Sequence, residues 1–242
     1  MLTTPGARER QAGVVEQLGA GNFEFVCGID KQTMTIDELI RSGVYDEAAT
    51  SRIKDAVPMT LGEVCCSVGH RKVYEQFLLS DGERALIFED DLVVYNVPEA
   101  QIAPMIRRVP DDAELIYWGW WLGRLLPWSR MLQQGIDHVR STLGLIEIDH
   151  VHIRNRFMRR KNRYFHGAAW NYLFHAYTIT RSGAEKLIAA NTPIVLRADH
   201  VPFAGLSDGT LRGYVARTQL FGQRSIEESD PMPSMTRPQD AV

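Results

Sequence analysis

Three carboxylates stand side by side at Glu89, Asp90 and Asp91, directly after the apolar run Ala85, Leu86, Ile87, Phe88. Adjacent acids at the end of a buried strand are costly, since like charges repel and each carboxylate loses water on burial. A bound cation offsets both costs. Side chains alternate along a strand, so Glu89 and Asp91 face one way and Asp90 the other, and two carboxylates can approach one hard ion. Oxygen ligands suit magnesium or manganese, which keep positions open for the phosphate oxygens of a nucleotide. The competing reading of the same residues is a solvated strand end or a helix cap, because acidic triplets are common on surfaces.

The elements that must hold these acids are legible around them. Thr60, Leu61, Gly62, Glu63 fits a capping box and predicts a helix running to about Leu79. The turn Ser80 to Glu83 leads into the strand before the triplet, an apolar run suited to burial on both faces. Leu115 to Trp118 is a second such run, after the turn at Pro110 to Asp112. Near the start, Arg8 to Leu18 is helical by the spacing of Val14, Val15 and Leu18, with Gly19 to Gly21 as its stop. Asn22 to Gly28 alternates as a strand with Phe23, Phe25 and Cys27 on one side. Asp30 then falls just past a strand end, where open α/β sheets place ligand-binding groups. Alternating helices and strands predict a layered α/β fold.

Composition narrows the classes. The 242 residues carry a net charge of −3 and are 45% apolar, which fits one globular domain and argues against a general nucleic-acid binder. Cys27, Cys65 and Cys66 match neither a zinc site nor a disulfide framework and read as small buried apolar residues. No stretch has the pattern of a signal peptide or a membrane span, so a cytoplasmic protein is expected, with peripheral contact at the inner membrane left open.

The string GEVCCSVGHRKVYEQFL, residues 62–78, followed by ALIFEDDLVVY, residues 85–95, resembles glycosyltransferase family 25. HAYTITRSGAEKLI, residues 175–188, and QLFGQRSIEES, residues 219–229, are similar to later blocks of that family in the same order. The resemblance implies an α/β, GT-A type nucleotide-diphospho-sugar transferase fold with a mixed central sheet flanked by helices. It places a single catalytic domain at residues 1–229, with a donor-binding half to about residue 112, an acceptor half from about residue 113, and a flexible tail at residues 230–242. The implied donor is a UDP-sugar and the implied reaction is transfer with inversion. In the same family position as a DXD-like motif, Glu89 and Asp91 would hold Mn2+ or Mg2+ and Asp90 the donor. Asp30 would lie near the nucleotide, Gln223 and Ser225 would line the donor pocket, and Asp199 would sit in the acceptor half.

One-step inversion needs a base for the attacking hydroxyl, and Asp199 is the first choice. His200 beside it would complete the metal shell or contact the diphosphate. A plain loop acid and loop histidine is the alternative. The sequence departs from the family at Gly69, where the family has Ser, and at Tyr74, where it has Trp, which makes His70 a structural histidine satisfied locally. The family's opening hydrophobic strand is almost missing from Met1, Leu2, Thr3, so either an upstream segment precedes it or the sheet is one strand short. A neighbouring strand left unpaired would favour a homodimer.

Two further features have both a functional and a plain reading. Tyr117, Trp118, Trp120, Trp121 and Trp128 could stack on sugars or sit at a membrane interface, or simply pack in the core. Arg154, Arg156, Arg159, Arg160, Lys161 and Arg163 form a basic run suited to an anionic lipid-linked glycan or acidic membrane, or a solvated loop. Together these readings describe a metal-dependent transferase moving a hexose, galactose first, onto a glycan or lipid-linked glycan such as lipopolysaccharide or lipooligosaccharide. A nucleotidyltransferase and an inactive carbohydrate-binding relative are the alternatives.

Overall fold

The computed structural model describes residues 1–53, 57–120, 128–169, 171 and 174–224. Trp121, Ser225 and the tail at residues 230–242 lie outside the described residues. The chain opens with β1 (Leu2–Thr3), α1 (Arg8–Leu18) and β2 (Val26–Cys27). β1 pairs in parallel with β2, Leu2 opposite Val26, and on its other side Leu2 bridges Glu89. β1 and β2 thus form a two-stranded sheet of their own, joined to the end of β3 by that single bridge, and Met1, Leu2 and Thr3 are all buried.

Next come α2 (Ile36–Arg41), α3 (Glu47–Arg52) and α4 (Leu61–Leu79). The capping box that starts α4 is formed as read: Thr60 Oγ1 accepts the Glu63 amide at 3.3 Å, and Glu63 Oε2 accepts the Thr60 amide at 2.8 Å. β3 (Arg84–Phe88) and β4 (Leu92–Val94) flank the acidic triplet, followed by α5 (Glu99–Ile106) and β5 (Leu115–Tyr117). The remaining elements are α6 (Trp128–Thr142), α7 (His150–Asn155), β6 (Arg159–Arg160), β7 (Phe165–Gly167), β8 (Ala176–Thr180), α8 (Arg181–Ala190), α9 (Pro202–Asp208), β9 (Gly213–Ala216) and β10 (Phe221–Gln223).

Among the described residues the main sheet has the order β3-β8-β5-β9-β7-β6, antiparallel except for the parallel pair β5 and β9. It is a mixed sheet in an α/β fold. β5 shows why strand period matters. Leu115 and Tyr117 join the core that holds Val73, Tyr74 and Phe77 of α4 and Leu187 of α8, whereas Ile116 and Trp118 join the core that holds Val14 of α1 and Met105 of α5. Helices thus cover both faces, and burying each large apolar side chain contributes about 1.5–3 kcal/mol.

Three local expectations change. The strand at residues 22–28 contracts to Val26–Cys27, with Phe25 and Cys27 exposed, so Cys27 is not a buried apolar residue. Phe23 and Phe25 instead pack edge to face on each other, with ring centres 5.0 Å apart. In β3 only Ile87 and Phe88 are buried, while Leu86 is exposed, so burial on both faces holds only where the strand nears the triplet. No helix of the described residues is long and apolar enough to cross a membrane.

Candidate active site

The triplet lies between β3 and β4, pinned by backbone bonds from both sides. The Glu89 amide donates to the His175 carbonyl at 2.9 Å, and the Arg224 amide donates to the Asp91 carbonyl at 2.8 Å. Asp90 and Asp91 sit in the turn between the two strands rather than in a strand, and their side chains find different partners. Gln223 Nε2 donates to Glu89 Oε2 at 3.2 Å and to Asp91 Oδ2 at 3.0 Å, so one amide faces both carboxylates. Asp90 turns away and accepts from Thr3 Oγ1 at 2.7 Å and from Arg10 Nη1 at 3.0 Å.

Behind Glu89 a buried polar chain enters from α4 and β8. His70 Nε2 lies 3.0 Å from Glu89 Oε1, His70 Nδ1 lies 2.8 Å from the Tyr177 hydroxyl, and that hydroxyl lies 2.8 Å from the Tyr74 hydroxyl. With Glu89 ionised it can only accept, so Nε2–H of His70 donates to Glu89, and Nδ1 shares the other hydrogen bond with the Tyr177 hydroxyl. His70 is satisfied, as expected of a buried histidine, but by residues 19 and 107 positions away. That contact with Glu89 makes it part of the site.

Burial works against the Glu89 charge, yet the hydrogen bond from His70 and the charges of His70, His175 and Arg10 outweigh it and hold the carboxyl below its ordinary range. Asp91 goes the other way. Its burial and the adjacent Glu89 charge push it up to about 7, against the opposing pull of Arg10 and Gln223. Asp91 Oδ1 and Gln223 Oε1 are buried without a hydrogen-bond partner among the described residues. Two orphaned oxygens beside a pair of mutually repelling carboxylates fit a hard cation, which would satisfy both and relieve the repulsion.

The other predicted residues lie around this centre. Asp30 follows β2, where its Oδ1 accepts the Gln32 amide at 2.9 Å, and its other carboxylate oxygen faces Gly6 between β1 and α1. Asp199 precedes α9, with His200 Nε2 3.9 Å from its carboxylate and the His200 ring stacked on Phe203 at 5.1 Å. The charges of Glu89, Asp199, Asp91 and Asp90 all bear on the Cys66 thiol, which burial and these charges push upward. The thiol therefore lies within electrostatic reach of both the triplet and Asp199. Cys66, His70 and Glu89 bring their ligand atoms within 4.8 Å of one another; Asp91 and His200 are not part of that group. Tyr117 and Trp118 are buried core residues, Trp120 is half-buried with its indole N–H on the Ala216 carbonyl at 2.9 Å, and Trp128 is exposed.

Arg10, Thr3, Tyr177 and Cys66 were not read from sequence as site residues. Arg10 and Thr3 had no local signal, because their partner is some 80 positions away in the chain. Tyr177 lies in residues 175–188, which resemble the family, and that is the signal the sequence offers for it.

The profile of glycosyltransferase family 25 (LPS biosynthesis protein) matches residues 6–202. The chain belongs to this family. A protein from Aedes aegypti described as a glycosyltransferase 25 family member is 27% identical over 121 residues, covering 48% of this chain. The match spans 19% of that relative, so this chain corresponds to a small part of its length. Arg10, Glu89, Asp91 and Asp199 fall inside the family match, whereas Gln223 lies beyond its end.

Proposed function

We propose that this chain is a GT-A type glycosyltransferase that moves a hexose, galactose first, from a UDP-sugar to a glycan hydroxyl with inversion. An acceptor of the lipopolysaccharide or lipooligosaccharide class agrees with the family's description. One observation carries the reading: Glu89 and Asp91 converge on Gln223 with buried oxygens left unpartnered. These two carboxylates would hold Mn2+ or Mg2+, which when bound neutralises diphosphate charge as a Lewis acid. His70 keeps Glu89 ionised and aimed, while Thr3 and Arg10 fix Asp90, Arg10 also lying 3.7 Å from Asp91. Asp199 accepts the proton of the acceptor hydroxyl as its oxygen bonds to the anomeric carbon and the bond to the diphosphate oxygen breaks.

The test is calorimetry of UDP-galactose binding with and without manganese, joined to product analysis. Asp91→Asn should remove the manganese-dependent part of binding, and Asp199→Asn should keep binding and lose transfer. Unchanged donor affinity in Asp91→Asn refutes the cation site. Pyrophosphate release would mark a nucleotidyltransferase, and binding without turnover a carbohydrate-binding relative.

A further inference from the structure

α6 is mounted with its polar side inward. Among its described residues Gln134 and Asp137 are buried, held by Arg159 donating to Gln134 Oε1, by Gln134 donating to the Ile153 carbonyl, and by Arg156 facing Asp137 at 3.3 Å. Trp128, Leu132, Ile136, Val139 and Leu143 recur at steps of four, four, three and four, which is one helical face. That face points outward: Trp128 is 87% exposed, Leu132 81%, and the other three more than half. Leu145 and Val151 extend the exposed apolar surface toward α7. An amphipathic helix in a globular protein ordinarily turns this stripe to the core. Here specific polar contacts fix the reverse orientation.

The surroundings are basic. Residues 128–163 carry eight Lys and Arg against three Asp and Glu, in a chain whose net charge is −3. Arg130, Arg140, Arg154, Arg160, Lys161 and Arg163 are exposed. Some of the run is tied internally, as Arg156 to Asp137, but the charge excess remains.

We infer that α6 is a membrane-surface helix that lays its Trp, Leu, Ile and Val stripe into the headgroup region of an anionic bilayer, with the adjoining arginines on the lipid phosphates. The helix is about 22 Å long, enough to lie in the interface plane and too short to span it. Apolar insertion and attraction of basic residues to anionic lipid act together in such helices, and Trp suits the interface because its ring is apolar with one polar edge. The inference does not depend on the transfer activity.

Co-sedimentation of the full chain with phosphatidylcholine vesicles, with and without phosphatidylglycerol, decides it. The protein should bind the anionic vesicles, and less so as salt rises. Leu132→Glu with Ile136→Glu should weaken partitioning by about tenfold or more, and Arg154→Glu with Arg160→Glu should remove the preference for anionic lipid. All four side chains are exposed, so melting temperatures should stay near that of the parent. In the unsubstituted protein, anionic vesicles should slow hydrogen exchange across residues 128–143. Failure to sediment with either vesicle overturns the inference, as does unchanged binding in the Leu132 and Ile136 variant. A dimer by light scattering that Leu132→Glu dissociates, without vesicle binding, would assign the stripe to a second copy of the chain instead.

Discussion

Leu2 fills the space that a side chain at Gly69 would occupy: a Cβ there would lie 2.7 Å from Leu2 Cδ1 and 3.3 Å from Cδ2. The bare Cα at position 69 is what allows the close seat of β1 on α4. Gly69→Ser should therefore destabilise the fold by about 1–3 kcal/mol through overpacking. Leu2→Ala in the same chain should recover part of that loss. Urea unfolding of both single variants and the double variant gives the coupling, and additive effects would show that the two positions do not compete.

Gln223→Glu places a third carboxylate against Glu89 and Asp91. Without divalent cations it should lower stability by about 2–3 kcal/mol, since a buried like charge has no partner there. Manganese should then raise its melting temperature more than it raises that of the parent. A melting temperature equal to the parent's in a chelator would mean that the side chain at this position is free to leave the acids.

His70→Phe removes the ring that joins Tyr177 to Glu89. Tyr177 keeps Tyr74 and Glu89 keeps Gln223, but each loses one hydrogen bond, so chemical denaturation should show a loss of about 2 kcal/mol or more. The shape of the core is largely kept. A loss below about 1 kcal/mol would show that Tyr177 and Glu89 re-pair without the histidine.

Glu114 ties the start of β5 to its neighbours, accepting from Lys186 Nζ at 2.6 Å, Ser182 Oγ at 2.8 Å and the Arg212 amide at 3.0 Å. Burial raises its pKa, but these hydrogen bonds and the Lys186 charge prevail and hold it below its ordinary value. A depressed carboxylate contributes stability above its unfolded pKa and loses it as pH falls through the folded one. Glu114→Gln should cost about 1–2 kcal/mol at neutral pH, and the difference from the parent should shrink in acid below the ordinary glutamate range. An equal deficit at both pH values would mean that charge plays no part.

Much of the scaffold was legible because it rests on short-range rules. The capping box fixed the start of α4 and helical spacing found α1, whereas Glu89 and Asp91 share Gln223 through a turn at Asp90 and Asp91 and not through the period of a strand. The strand at residues 22–28 misled because alternation alone does not say whether anything covers the side chains, and Phe25 and Cys27 remain exposed. The partners of the acids were harder. Arg10 and Tyr177 reach the site through pairings that leave no local pattern, and Gln223 was found only through family position. The outward stripe of α6 depends on which way the helix is rotated, which Gln134 and Asp137 decide through contacts with a distant segment.

β10 supplies Gln223 and also pairs with β4, the strand that leaves the acidic triplet. On the ribosome the main sheet can be complete once β9 has emerged, while β4 still has an open edge and Glu89 and Asp91 still repel each other. The site is then finished only by a segment made after the main sheet. A chain that stops at Leu220 would keep every strand of the main sheet and still lack the amide that faces both acids, so truncation there separates a folded protein from an assembled site.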